Sequence, residues 1–184
     1  LDMRLNPSVG ESAADLVNRA GEQELADILW RYGEERASRR IARAIVKNRP
    51  ITRTVELAQV IASVMPRRGK IHPATKSFMG LRIAVNDELV ALEHALDAAI
   101  RLLRDGGRIV VISYHSLEDR IVKRFLARER RGCTCPPELP VCACGKQPRV
   151  ASVGAQPQLP SDSEVASNPR ARSAKLRAAR RLPA

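Results

Sequence analysis

One short run limits what this chain can fold into. Residues 109–112 are Ile-Val-Val-Ile, four β-branched apolar side chains in a row. Up to residue 103 the other apolar side chains mostly recur at three-, four- and seven-residue intervals, the period of one helix face. An unbroken β-branched run instead suits a strand buried on both faces, as in a parallel sheet. Gly106 and Gly107 turn into it, and it ends at Ser113, Tyr114, His115 and Ser116. A helical pattern carrying Glu118, Asp119, Arg120 and Lys123 follows. In parallel α/β sheets ligands sit at the carboxyl ends of the strands, so this junction reads as one wall of an active site. A helix cap is the plainer reading: Ser116 as N-cap, with Glu118 and Asp119 favoured by the dipole in the first turn. The cap accounts for Ser116 and the acids but not for His115, and spacing alone leaves both readings open.

Ahead of that strand the pattern is helical. Ser12 is placed to cap a first helix bearing Leu16 and Val17, and residues 22–32 form an amphipathic second one with Leu25, Ile28 and Leu29 inward. Residues 34–48 make a third, with Ile41, Ala44 and Ile45 inward and Arg36, Arg39, Arg40, Arg43 and Lys47 outward, stopped by Pro50. Thr52 or Thr54 caps a fourth over 55–64, and a basic loop at 67–70 follows Pro66. The apolar pattern from Phe78 to Leu103 predicts one long helix, or two with a break near Asn86. Glu34 and Glu35 read as ion-paired surface charges. His72 reads as a capped helix start with Lys76 and Arg82 in solvent, or as a phosphate-facing edge. Beyond the strand, residues 117–129 are helical and 150–167, rich in Pro, Ser and Gln, read as loop. Propensity favours helix over strand for 174–182.

The 184 residues suffice for one domain or two small ones, and their net charge of +12 favours a polyanionic partner such as nucleic acid. Arginine outnumbers lysine, which suits bidentate phosphate contacts. Aromatic residues are only 3% of the chain, which argues against base-stacking platforms. No apolar run is long enough to span a membrane, and no P-loop, nucleophile elbow or glycine-rich dinucleotide loop is present. Cys133, Cys135, Cys142 and Cys144 form two C-x-C pairs separated by six residues. That composition suits a four-thiolate zinc site. C-x-x-C is the commoner spacing, however, so a loop of reduced thiols stiffened by Pro136, Pro137 and Pro140 remains the alternative. The chain opens on Leu1 rather than Met, which reads as the interior of a longer protein.

Residues 106–125, GGRIVVISYHSLEDRIVKRF, resemble the signature of the MraW family, bacterial S-adenosylmethionine-dependent methyltransferases that modify a 16S ribosomal RNA cytidine at its exocyclic N4 amine. Further segments match in the family's order: residues 1–4 (LDMR), 32–36 (YGEER), 40–45 (RIARAI), 72–78 (HPATKSF), 81–83 (LRI) with Val85 and Asn86, and 168–173 (NPRARS).

The resemblance implies an α/β, partial Rossmann-like methyltransferase fold with an inserted all-helical subdomain. Residues 1–7 would end the first Rossmann part, 8–95 form the insertion that recognises substrate, and 96–184 complete the Rossmann part with a Cys-rich loop and basic tail. His115, Ser116 and Asp119 would line the pocket, Asp119 and Arg120 ordering that strand end. Arg4, Arg39, Arg40, Arg43, Lys76, Arg82 and Arg120 would meet RNA, with 16S rRNA or the small ribosomal subunit as partner, in the cytoplasm. The family's loops for S-adenosylmethionine are expected upstream of Leu1, so this stretch alone is expected to be inactive. A stand-alone basic RNA-binding module, a zinc-stabilised interaction domain and a non-functional truncated relative are the other classes open.

Overall fold

A computed structural model describes residues 1–65, 71–133, 135–136 and 139–183. The basic loop read at 67–70, with Pro66 and Pro137, lies outside them. The chain divides into two units, Leu1–Glu88 and Leu89–Ala184.

The first unit is helical. In α1 (Ala13–Arg19) Ser12 and Asp15 cap reciprocally: the Asp15 N–H donates to Ser12 Oγ (3.1 Å) and the Ser12 N–H to the Asp15 carboxylate (2.9 Å). Then come α2 (Glu22–Arg31), α3 (Ser38–Lys47), α4 (Thr54–Val64) and α5 (Thr75–Asn86). Neither Thr52 nor Thr54 caps α4. Arg53 holds the N-cap position, and Glu56 accepts the N–H groups of Thr52 (2.9 Å) and Arg53 (3.0 Å). The inward stripes of α2 and α3 meet in a core of Leu25, Leu29, Ile41 and Ile45, joined by Leu57, Ile61 and Leu81. Gly33 and Gly80 let α2 and α5 touch backbone to backbone, since a Cβ on Gly80 would lie 2.8 Å from the Gly33 nitrogen. Glu35 is buried and accepts the Ala37 N–H at 3.0 Å, so it is part of the turn into α3 rather than a surface ion-pair partner.

The predicted break falls at Asp87, whose left-handed backbone (φ 47°) separates α5 from α6 (Glu88–Leu102). A short-side-chain Asp tolerates that conformation better than most residues.

In the second unit, β1 (Arg108–Ser113) leads into α7 (Ser116–Arg131), followed by β2 (Val150–Ser152), α8 (Asp162–Ser167), a 3₁₀ turn (Pro169–Ser173) and β3 (Lys175–Arg181). The sheet order is β1-β3-β2, antiparallel throughout, with Val111 opposite Arg177 and Ser113 opposite Lys175. Three sequence expectations change here. Residues 175–181 are the central strand and not a helix: pairing on both edges outweighs the helix propensity of Lys, Leu, Ala and Arg. The segment 150–167 contains β2 and α8 as well as loop. The 109–112 run is not buried on both faces. Ile109 packs with Ile100, Val122, Phe125 and Ala179, while Val110 and Ile112 are 57% and 52% exposed on the opposite face. No helix among the described residues is long and apolar enough to cross a membrane.

Candidate active-site wall and nucleic-acid-facing surface

The junction of β1 and α7 bears out one of the two sequence readings, the helix cap. The helix is capped, but by His115 rather than Ser116. His115 holds the extended N-cap backbone, and its Nδ1 accepts the Glu118 N–H at 3.4 Å. Ser116 is already the first helical residue. Glu118 reciprocates, accepting the N–H groups of Tyr114 (3.0 Å) and His115 (3.3 Å). An imidazole that accepts at Nδ1 carries its proton on Nε2 when neutral. That Nε2 is buried and has no hydrogen-bond partner among the described residues, although it lies 3.3 Å from Glu118 Oε1. A buried donor without a partner is uncommon in folded proteins. Burial alone would raise the Glu118 carboxyl. The adjacent imidazole and the Tyr114 and His115 N–H groups outweigh it, and the carboxyl sits below its usual range.

One turn on, Asp119 is buried and points away from that cap. Its two oxygens accept from Arg177 Nε (2.7 Å) and Nη2 (3.2 Å), and Lys175 Nζ lies 3.4 Å from Oδ2. The hydrogen-bonded Arg177 guanidinium, helped by Lys175, holds this carboxyl below its usual range against the opposing effect of burial. Asp119 thus ties the first turn of α7 to the central strand and fixes where His115 stands. Arg177 carried no sequence signal as its partner, because the tail reads as helix. A second clamp on α7 was equally silent: buried Glu129 accepts from Arg149, and from Arg128 at 3.0 Å.

In the first unit, the start of the chain is pinned to the end of α5. Asn86 Nδ2 donates to the Met3 carbonyl (2.8 Å), and Asn86 Oδ1 accepts the Leu5 N–H (2.7 Å). Met3 sits in the left-handed region (φ 68°) as a result of this tie. Arg4 chelates Asp2 through Nε (2.7 Å) and Nη2 (2.9 Å), which holds the Asp2 carboxyl down to about 2. A mainly apolar cleft of about 860 Å³ opens beside this segment, lined by Met3, Ala58, His72, Phe78 and Arg82 among others. His72 Nδ1 accepts the Ala74 N–H (3.1 Å), leaving its Nε2 as donor when neutral.

The basic residues fall into two groups. Arg39, Arg40 and Arg43 are exposed along α3, Arg43 being 3.4 Å from Glu22. With Arg36 and Trp30, Arg39 and Arg40 line a second cleft of about 570 Å³, and Trp30 is 57% exposed there. Sequence reading left Trp30 without a role. Arg4 and Arg82 are both engaged by carboxylates, Arg82 with Glu88 at 2.7 and 2.9 Å. Lys76 Nζ donates to the Glu34 carbonyl (3.3 Å), and Arg120 lies exposed on α7. The four cysteines converge in the loop between α7 and β2.

Residues 1–182 match the family model described as the MraW methylase family. Among curated relatives, the Ribosomal RNA small subunit methyltransferase H of Geobacter sulfurreducens is 57% identical over 99% of this chain and 60% of its own length. Its namesakes in Dehalococcoides mccartyi and Heliobacterium modesticaldum are 53% and 54% identical over 99% of this chain and 52% and 60% of theirs. The chain therefore spans somewhat more than half the length of these relatives. A helical unit, a small sheet with its helices, and a match running through both make this chain a member of the MraW methylase family.

Proposed function

We propose that this chain supplies the substrate-facing helical unit and the β1–α7 wall of an S-adenosylmethionine-dependent methyltransferase acting on small-subunit ribosomal RNA, at the exocyclic N4 amine of a 16S cytidine. The observation that carries this reading is the family match over residues 1–182, together with relatives bearing that enzymatic name.

The residues present do not fit a cradle for the cofactor. The turn that leads from β1 into α7 is Tyr114-His115, without glycine and with its first amides already bonded to Glu118. We infer that the residues holding S-adenosylmethionine lie in the part of the relatives that this chain does not span.

What these residues do is hold and aim the acceptor. An exocyclic amine has its lone pair delocalised into the ring, so it reacts only when its hydrogens are held and its nitrogen is oriented, and proximity supplies much of the rate. A base must also leave its stack to be reached. The apolar cleft at Phe78 and Met3, with the His72 imidazole among its lining residues, suits an extruded base. The α3 arginines suit the flanking backbone, and the exposed Trp30 beside them suits a stacked flanking base. In the second unit, taken by itself, His115 caps α7, Asp119 ties the same turn to β3, and the imidazole is the donor that the β1–α7 wall offers.

The test separates cap from catalyst. Asn is a good N-cap, so His115→Asn in the full-length protein should change stability by no more than about 0.5 kcal/mol. Transfer of labelled methyl to the N4 amine of a 16S cytidine should fall at least tenfold. Undiminished methylation by His115→Asn and by Asp119→Ala would remove the pocket assignment, and label on another RNA or another atom would remove the substrate assignment.

A further inference from the structure

The Cys-rich loop lies outside everything derived so far. It joins α7 to β2, and its structure is hard to account for by ordinary packing. Leu139 and Val141 are 49% and 75% exposed, and among the described residues neither buried core includes one from this loop. Ordering such a segment costs backbone entropy that no apolar burial repays. Yet four sulfurs from two distant C-x-C pairs meet at its centre.

Their separations are specific. Cys142 Sγ lies 3.5 Å from Cys133 Sγ, 3.5 Å from Cys144 Sγ and 4.0 Å from Cys135 Sγ. Cys144 and Cys133 are 3.8 Å apart, and all four sulfurs fall within 4.8 Å of one another. A disulfide brings sulfurs to about 2.05 Å, so these four cysteines are not disulfide-bonded. Neutral thiols gain little from crowding. A zinc ion with Zn–S bonds of about 2.3 Å, however, sets the edges of its sulfur tetrahedron at about 3.8 Å. The distances bracket that edge, and they are too short to surround a multi-iron cluster.

The loop's two ends are also brought together. Gly132 takes a left-handed backbone (φ 70°), and a Cβ there would lie 2.5 Å from both Gln147 C and Pro148 N. Just outside, the Arg149 N–H donates to the Glu129 carbonyl at 2.8 Å. The chain leaves α7 and returns to it at one point, and the thiols face one another across the span between.

We propose that Cys133, Cys135, Cys142 and Cys144 hold one zinc ion in a closed four-thiolate site that ties the two C-x-C pairs together beside the end of α7. Each sulfur gives up its proton on binding, so the occupied site carries two negative charges, flanked in sequence by Arg131 and Lys146. Four thiolates fill the tetrahedron and leave no open position, so the site is structural and takes no part in methyl transfer.

The full-length protein, purified under reducing conditions from zinc-supplemented cells, should carry about one zinc per chain by elemental analysis. Replacing the zinc with cobalt should give the visible bands and thiolate charge-transfer absorption of a tetrahedral sulfur site. Cys142→Ser should lose most of the zinc. Because that variant can lose zinc by misfolding, thiol titration of the unaltered protein is the second readout. All four thiols should resist a thiol reagent until a chelator is added, and then react together. Less than about a tenth of an equivalent of zinc in protein whose thiols react at once would overturn the proposal. So would two disulfides, or iron in place of zinc. None of these outcomes depends on methylation.

Discussion

Exchanging Asp119 for Asn changes almost nothing but a charge, and the structure allows its cost to be worked out. Two hydrogen bonds, at 2.7 and 3.2 Å, join this carboxylate to Arg177, whose side chain is only 9% exposed in the central strand. Lys175, also facing it, is 41% exposed and can rehydrate. Asp119→Asn therefore strands one buried cation, and breaking a buried pair from one side costs roughly 3–5 kcal/mol. We expect the lower end, about 3 kcal/mol, because the amide oxygen still accepts one hydrogen bond. Urea unfolding followed by circular dichroism measures the loss, and hydrogen exchange at the β3 amides locates it.

The pH dependence has a definite sign. The folded carboxyl lies below its usual range, so its contribution is complete above the unfolded value of about 3.9 and fades as pH falls through the folded one. The gap between parent and variant should hold from neutrality to about pH 5 and close below about pH 4. Asp119→Asn combined with Arg177→Met should cost less than Asp119→Asn alone, since no charge is then left buried. A single-variant cost below about 1 kcal/mol, or a gap that widens in acid, would refute the reasoning.

Gly80→Ala places a Cβ 2.8 Å from the Gly33 nitrogen and 3.0 Å from its Cα, backbone that cannot swing away. It should cost about 1–3 kcal/mol, read as a lower melting temperature, and an unchanged one would refute the close approach of α2 and α5. Asn86→Ala removes the tie at 2.7 and 2.8 Å to residues 3 and 5, so amides of that segment should exchange roughly ten- to a hundredfold faster with α2 and α3 unaffected. Arg39→Glu with Arg40→Glu should weaken binding to small-subunit RNA and flatten the plot of log affinity against log salt by about two. Anisotropy titrations at several salt concentrations measure it, and an unaltered slope would take α3 off the RNA.

Legibility in the sequence followed how local each cause is. The helices of the first unit could be read because their partners lie on neighbouring turns, and the break near Asn86 appeared where Asp87 turns left-handed. The failures are cases where a distant residue decides. Residues 175–181 look helical until β1 and β2 are seen on either side of them. His115 is the local exception: its bond from the Glu118 N–H spans only three residues, but histidine is not among the residues usually read as N-caps. Glu35 looks like a surface charge because its own segment does not announce its burial in the turn before α3. The four cysteines were visible as a composition, but the meeting of their sulfurs depends on how the chain returns at Gly132.

The central position of β3 also has a consequence in time. Of the three strands it is the last to be synthesised, and among the described residues β1 and β2 each pair with it. While a ribosome is still making residues before Lys175, β1 and β2 exist as sequence with no strand between them, and Asp119 waits for Arg177. The helical unit faces no such delay, since all its core residues precede Asn86. One half of the chain can settle during translation, and the half that positions His115 must wait until its basic tail is made.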